Sequence, residues 1–333
     1  MNDRSTPNSK IGDQKSRKKD AAENPGAAIS GWMQDGFHNF FLPRYLRKHF
    51  HSVAIDLSAF DPQRDLPDDS PVLIYGNHPS WWDPLIAMFL NRQLFAPRQF
   101  FAPIDADMLQ QYAVFKRLGF YGVRMNRHAD VATFLKTSMA VLHSPDTALW
   151  ITPEGRFCDV RDYSQSLRPG LAHLVHRVLR QRGQQRTRTA QTTGDENSGA
   201  ITGPAYVLPL AIEYPFWDER LPLMLAKTGS PLRLDSVGRE SGVTSGENAD
   251  EPRETNSDNH SIHSKVAIGE CLQQRLRQTQ EELAQLVVQR CDAPFTNLLS
   301  GKKGAGGTYG FLRRVRSWFG KSNSDEQHGE QFS

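Results

Sequence analysis

Short apolar runs that alternate with helical stretches constrain this chain more than any other feature. Residues 71–75 (PVLIY), 99–103, 120–125, 148–152 and 206–212 are largely apolar, and most are bounded by turn-forming residues. A strand with one wet face alternates apolar and polar residues, so unbroken apolar runs predict strands covered on both faces. Between them, residues 84–94, 129–143 and 170–182 read as helices. Alternating strands and helices predict an α/β domain, with a mixed β-sheet flanked by helices. Further strands are predicted over residues 51–57 and within 223–234. A long helix is predicted over 265–291, where Ile268, Leu272, Leu276, Leu283, Leu286 and Val287 recur at roughly helical spacing.

The flanks differ. Residues 1–28 are charged and poor in apolar side chains, which predicts a disordered tail. Residues 29–50 turn aromatic and basic, and predict one or two short helices broken near Pro43. Two polar segments, at about 181–199 and 236–260, interrupt the domain predicted over residues 51–291. Too few apolar groups lie there to offset the entropy of ordering, so both segments are expected as solvated loops. Residues 292–333 form a basic tail with an amphipathic helix expected at about 308–320. The mean hydropathy of −0.57 fits a core with solvated segments attached, and the net charge of +3 points to no class of partner. Cys158, Cys271 and Cys291 lie far apart and form no C-x-x-C pair, which fits a reducing compartment and no zinc site. No segment reaches the roughly 18 apolar residues of a membrane span. With no signal-peptide core near the start, the expected location is cytoplasmic.

Chemistry concentrates at residues 76–84, Gly-Asn-His-Pro-Ser-Trp-Trp-Asp-Pro, between an apolar run and a helix. Four residues separate His78 from Asp83. Across a strand-to-helix turn, that spacing folds the carboxylate back beside the imidazole. It would hold one ring nitrogen protonated and leave the other to accept a proton. A His–Asp pair without an evident serine nucleophile fits a base that activates the substrate's own hydroxyl. Taken alone, the pair reads more readily as a strand-end histidine capping a helix, since His and Asp at this spacing are common by chance.

More of the chain follows the same pattern. Residues 77–84 (NHPSWWDP) resemble the first sequence block, N-H-x-S-x-x-D, of the lysophospholipid and glycerol-phosphate acyltransferase family. Residues 118–127 (LGFYGVRMNR), 151–156 (ITPEGR) and 207–210 (VLPL) resemble the second, third and fourth blocks, in the family's order. Residues 168–172 (RPGLA) are similar to the segment that opens the helix after the third block. The resemblance covers roughly residues 50–235. It departs where Arg156 follows Gly155 directly, without the intervening residue of many members, and where the polar insertions lengthen the domain.

The resemblance implies a glycerolipid-acyltransferase-like fold with N-terminal helices. It also implies transfer of a fatty acyl group from acyl-coenzyme A or acyl carrier protein to a lysophospholipid hydroxyl, above all lysophosphatidic acid. His78 would be the base and Asp83 its orienting partner. Arg124 or Arg127, with Arg156, would hold the acceptor phosphate. Glu154 would bond an acceptor hydroxyl or hold an arginine. Backbone N–H groups near Gly155 or in the 78–80 turn would face the oxyanion. Trp81 and Trp82 line a pocket or pack in the core, and Ser80 and Pro209 complete the pocket candidates. No metal and no cofactor is implied beyond the acyl donor. The alternatives are a lyso-aminolipid or glycolipid acceptor, a non-catalytic lipid-binding protein on the same fold, and a thioesterase.

Membrane contact is expected from the surface. Between Asp292 and Asp325 there are six basic residues and no acidic one, and Phe311, Leu312, Val315, Trp318 and Phe319 share a helical face. Basic residues opposite Trp and Phe mark a helix that lies on anionic lipid. Phe37, Phe40, Phe41, Leu42, Tyr45 and Leu46, with Arg44, Arg47 and Lys48, suggest a second contact or a helix packed on the domain. The expected placement is peripheral, on the inner face of the cell membrane, with no nucleic-acid partner.

Overall fold

The computed structural model describes residues 29–124, 128–191, 204–234 and 257–301. The tail at 1–28, Arg127, residues 192–199 of the first polar segment, most of the second and the helix expected at 308–320 lie outside the described residues. The strands are β1 (Ser52–Asp56), β2 (Val72–Gly76), β3 (Gln99–Asp105), β4 (Phe120–Val123), β5 (Thr147–Ile151), β6 (Tyr206–Glu213), β7 (Leu223–Thr228), β8 (Leu232–Arg233) and β9 (Phe295–Ser300). They form one mixed sheet in the order β4-β3-β5-β2-β6-β7-β1-β9, with β8 also paired to β6. The block β4-β3-β5-β2-β6 is parallel throughout, β7 runs antiparallel to β6, and β1 runs parallel to β7. The helices are α1 (Gly31–Gly36), α2 (Leu42–His49), α3 (Pro62–Asp65), α4 (Asp83–Leu94), α5 (Ala106–Gln111), α6 (Val114–Arg117), α7 (His128–Leu142), α8 (Gly170–Gln191) and α9 (Ser257–Gln289).

The apolar runs become strands because helices cover both sides of the sheet. Val72 and Ile74 of β2 pack into one core with Leu42 and Leu46 of α2 and Ile86 and Leu90 of α4. Leu73 and Tyr75 face the opposite core, with Leu135 of α7, Leu174 of α8 and Leu272 of α9. Side chains alternate across a strand, so a strand between two such layers needs an apolar residue at every position.

Several boundaries differ from the sequence expectation. Pro43 does not break the N-terminal helix: α1, a π-helical turn at Phe37–Phe41 and α2 follow without a gap, with Pro43 in the first turn of α2. The π-helical turn just before it widens the ladder, which accommodates the missing N–H and the crowding of the ring against the preceding turn. Residues 181–191 extend α8 as helix instead of forming a loop, and α9 begins at Ser257 within the second polar segment. Low apolar content argues against burial, but Gln, Arg and Ala are good helix formers on a wet surface. The region 223–234 holds two strands, β7 and β8, in place of one. β9 adds residues 295–300, within the expected tail, to the sheet edge, where it pairs antiparallel with β1. With Leu42, Leu46 and Phe295 fully buried, the packed unit extends beyond residues 51–291 at both ends.

The topology fixes where a site can form. From β2 the chain crosses to β3 through α4, which packs on one face. From β5 it crosses to β6 through α8, which packs on the other. Because β5 and β2 are neighbours, their connections part in opposite directions at the carboxyl edge of the sheet. A crevice opens at such a point, and His78 and Glu154 lie in the two loops that form it.

Candidate active site

β2 ends against β6 so closely that a Cβ on Gly76 would lie 2.7 Å from the carbonyl oxygen of Leu210, so only glycine fits. The next residue, Asn77, is buried. Its Nδ2 donates to the Ile212 carbonyl at 2.9 Å, and its Oδ1 accepts from the Ile212 N–H at 2.8 Å. The side chain thus continues the β2–β6 ladder after the backbone has turned away, which frees residues 78–82 to form the loop before α4.

Within that loop, His78 Nδ1 lies 2.5 Å from Asp83 Oδ2, and the Ser80 N–H donates to the same oxygen at 3.1 Å. Tyr214, just past the end of β6, donates its hydroxyl to Asp83 Oδ1 at 2.6 Å. Burial, with the Asp83 carboxylate next in effect, pushes the Tyr214 phenol well above its usual range, so it stays a donor. The Asp83 side chain is 4% exposed and the His78 side chain 18%. The carboxylate is therefore held by three donors, with Nδ1 of His78 protonated towards it. Nε2 has no partner among the described residues and is the nitrogen able to take a proton.

The loop after β5 closes on the first one. Glu154 Oε2 accepts the His78 N–H at 2.7 Å, and the Cys158 N–H donates to the His78 carbonyl at 3.0 Å. Glu154 therefore pins the histidine backbone. Burial raises its carboxyl above the usual range, while the His78 N–H opposes that shift. Gly155 follows at φ 64°, left-handed backbone that admits glycine readily, and a Cβ there would meet Arg168 Nε at 2.3 Å. Arg168 bonds the carbonyls of Glu154 and Gly155, both at 3.3 Å. The ring of Phe157 packs on His78 with centroids 4.6 Å apart.

Residues 59–213 match the family model described as Acyltransferase. The protein is an acyltransferase. No curated protein matches the chain. The matched span of the acyltransferase includes His78, Asp83 and Glu154 and stops one residue before Tyr214.

The other site residues expected from the sequence are distributed unevenly. Arg156 is exposed and donates to Gln165 Oε1. Arg124, at the end of β4, is ion-paired with Asp107 at 3.0 Å. β4 lies three strands from β2, so about 14 Å separates Arg124's strand from that of His78. Trp82 takes the packing role of the two expected. Trp82 packs on His49 and Phe50, whereas Trp81 stacks on Trp82 at 4.0 Å and is 55% exposed. Ser80 is a turn residue whose Oγ accepts the Trp82 N–H at 3.3 Å.

Two expectations need correction. Pro209 is not at the site: it is buried within β6, with its ring beside Gly229 near Thr279 of α9. Of the backbone donors expected to face an oxyanion, those of Gly155, His78 and Ser80 are engaged. Gly155 N–H bonds Thr152, His78 N–H bonds Glu154, Ser80 N–H bonds Asp83, and Pro79 has none. Those bonds build the two loops, so the same groups do not point at a substrate. Cys158 is no activated thiol, since burial and nearby Glu154 push its pKa up.

Sequence reasoning gave no role to Tyr214, Asn77 or Arg168, nor to the pair of Arg161 with buried Glu213 at 3.0 Å. The one local signal was Glu213-Tyr214, polar groups placed directly after an apolar strand.

Proposed function

We propose that this acyltransferase moves a fatty acyl group from an acyl thioester, of coenzyme A or acyl carrier protein, to the hydroxyl of a lysophospholipid. Lysophosphatidic acid is the acceptor and phosphatidic acid the product. The observation that carries this reading is the Tyr214–Asp83–His78 chain of hydrogen bonds, ending on an unpartnered imidazole nitrogen. His78 Nε2 takes the acceptor hydroxyl's proton as the oxygen attacks the thioester carbonyl. The tetrahedral intermediate then breaks its C–S bond, and the departing sulfur takes the proton from Nε2 to leave as a thiol. Asp83 stays ionised throughout and stabilises the imidazolium. Glu154 acts through the backbone of His78, and Arg156 meets the acceptor phosphate by exchanging Gln165 for it. Arg124, at the carboxyl edge of β4, or else Arg127 contributes a further contact to the acceptor phosphate.

The acceptor reaches the site from a lipid surface, and the protein sits peripherally on the inner face of the cell membrane. Among the described residues, no helix is long and apolar enough to cross a membrane. Trp32, Phe40 and Phe41 are 82%, 65% and 51% exposed beside the basic residues of α2, and Trp81, Phe157 and Phe216 are exposed around the site. Exposed aromatics beside cations suit the interface of an anionic bilayer. Phe40→Asp with Phe41→Asp, and separately deletion of residues 301–333, are expected to weaken sedimentation with anionic liposomes; unchanged sedimentation in both contradicts the placement.

A second reading, acylation of a lyso-aminolipid or glycolipid, is favoured by one observation: Arg124 and Arg156 both have protein partners. The test of both readings is release of free thiol from acyl-coenzyme A, with lysophosphatidic acid or a neutral lysolipid added, by the wild type and His78→Ala. Lysophosphatidate-dependent release that His78→Ala abolishes supports the first reading. Release with the neutral acceptor alone supports the second. Equal release by His78→Ala overturns the mechanism.

A further inference from the structure

A basic cleft of about 680 Å³ opens between α7, α8 and α9, and none of its lining residues belongs to the two loops around His78. From α8 it is lined by His173, His176, Arg177 and Arg180, whose spacing places them on one face along about 10 Å of helix. Lys136 and His143 of α7 and Lys265 of α9 line it too. Leu135, Met139 and Ala140 contribute apolar surface.

Among the described residues, no carboxylate lines the cleft. Some exposed arginines elsewhere find acids, as Arg92 does with Asp35, Arg124 with Asp107 and Arg290 with Asp218, while others such as Arg44, Arg47, Arg117 and Arg220 stand singly without an ion pair among the described residues. Arg177, Arg180 and Lys265 have no such partner among the described residues. His176 is 8% exposed and also lacks a hydrogen-bond partner there. Lys265 and Arg177 press the His173 imidazole down, and Lys265 and Arg180 do the same to His176, beyond the effect of burial. Like charges facing each other across a cleft oppose folding unless an anion sits between them.

We propose that this cleft is a binding site for a nucleotide that carries two or more phosphates. Its volume is that of a small-molecule site. Arg177 and Arg180 supply forked donors for phosphate, Lys265 adds a point charge, and the apolar patch on α7 receives the flat base. A convex basic patch would suit a protein or lipid surface better; this concave but solvent-open face lets several of these donors converge on a single polyanion. Two sources share this chemistry: the adenosine bisphosphate end of coenzyme A, and a free nucleotide. Coenzyme A as the source rests on the acyl-donor reading above, whereas nucleotide binding does not.

The test is calorimetric titration of the full-length protein with coenzyme A, ATP and inorganic pyrophosphate. Arg177→Gln/Arg180→Gln is expected to weaken nucleotide binding by about tenfold or more, the loss expected for one charge-assisted bond. His78→Ala and Arg290→Gln are expected to bind as the wild type does, and the unliganded double variant to melt no lower than the wild type. If coenzyme A is the source, the double variant also raises KM for acyl-coenzyme A and leaves KM for an acyl-pantetheine thioester unchanged. Tighter binding of ATP, with both KM values unchanged, assigns the cleft to a free nucleotide. Absence of binding by either nucleotide overturns the proposal, as does equal weakening by Arg290→Gln. Failure of lysophosphatidate acylation would leave the titration result standing.

Discussion

Replacing Asp83 by asparagine isolates the charge of the carboxylate from its geometry. The His78 Nδ1–H and the Ser80 N–H converge on one oxygen of Asp83, and neither can accept a hydrogen bond. The amide of Asp83→Asn must therefore place its oxygen there. Its NH2 then faces the Tyr214 hydroxyl, which donates at 2.6 Å in the wild type and can turn to accept. The imidazole keeps its orientation and tautomer, and what disappears is the negative charge beside the imidazolium. At about 4 Å between charge centres and an effective dielectric of about 20, that attraction is about 4 kcal/mol. At roughly 1.4 kcal/mol per decade, kcat/KM should fall about a thousandfold. The assay is thiol release by Asp83→Asn at saturating acceptor and varied acyl-coenzyme A, with the melting temperature expected to stay close to that of the wild type. Activity within about tenfold of the wild type would falsify the account of Asp83 as the counter-charge. The double variant with Tyr214→Phe leaves the new NH2 against a ring edge and should lose more stability than the two single changes together.

Tyr214→Phe alone removes a charge-assisted hydrogen bond from a buried carboxylate and should lower stability by about 1.5–3 kcal/mol; an unmoved urea midpoint would contradict the bond. Gly155→Ala must adopt φ 64° at a cost of about 1–2 kcal/mol and displace Arg168 from the Glu154 carbonyl, so both melting temperature and activity should drop. A fully active Gly155→Ala enzyme would mean that the 153–155 turn does not position the site. His38 lies with Nδ1 buried and unpartnered, and burial, reinforced by Arg92, lowers its pKa from 6.5 to about 4. Between those values the unfolded chain binds a proton that the folded chain refuses, so stability falls as pH drops through that window. The loss approaches about 3 kcal/mol near pH 4. Urea midpoints at pH 7 and pH 4.5 should differ less in His38→Gln than in the wild type, and an equal difference would contradict the assignment.

What could be read from the chain followed the range of the interactions involved. The run PVLIY announced a two-faced strand because burial on both sides acts at every position of β2. The five-residue offset from His78 to Asp83 was legible for a similar reason: both lie within one strand-to-helix turn, and their hydrogen bond is local. Tyr214 reaches Asp83 across 131 positions in sequence, and Glu154 reaches His78 across 76. No pattern local to either residue carries such a contact. Glu154 was found through a resemblance and Tyr214 was not found. The polar segment 181–191 misled because its composition reports burial, while its helicity depends on backbone propensity and on the turn of α8 before it.

By itself, the sequence determined that the chain forms an α/β sheet with both faces covered and that His78 meets Asp83 where β2 gives way to α4. Hydrophobic periodicity and turn chemistry act within a few residues, so they are written locally. Only the tertiary structure decided that β5 lies beside β2 and β6 on its other side. That adjacency brings Glu154 to the backbone of His78 and Tyr214 to the far oxygen of Asp83. It also engages the His78 N–H, one of the backbone donors that a local reading assigns to an oxyanion. Strand order arises from packing among distant segments, and a hydrogen bond that crosses the sheet exists only once that order is set.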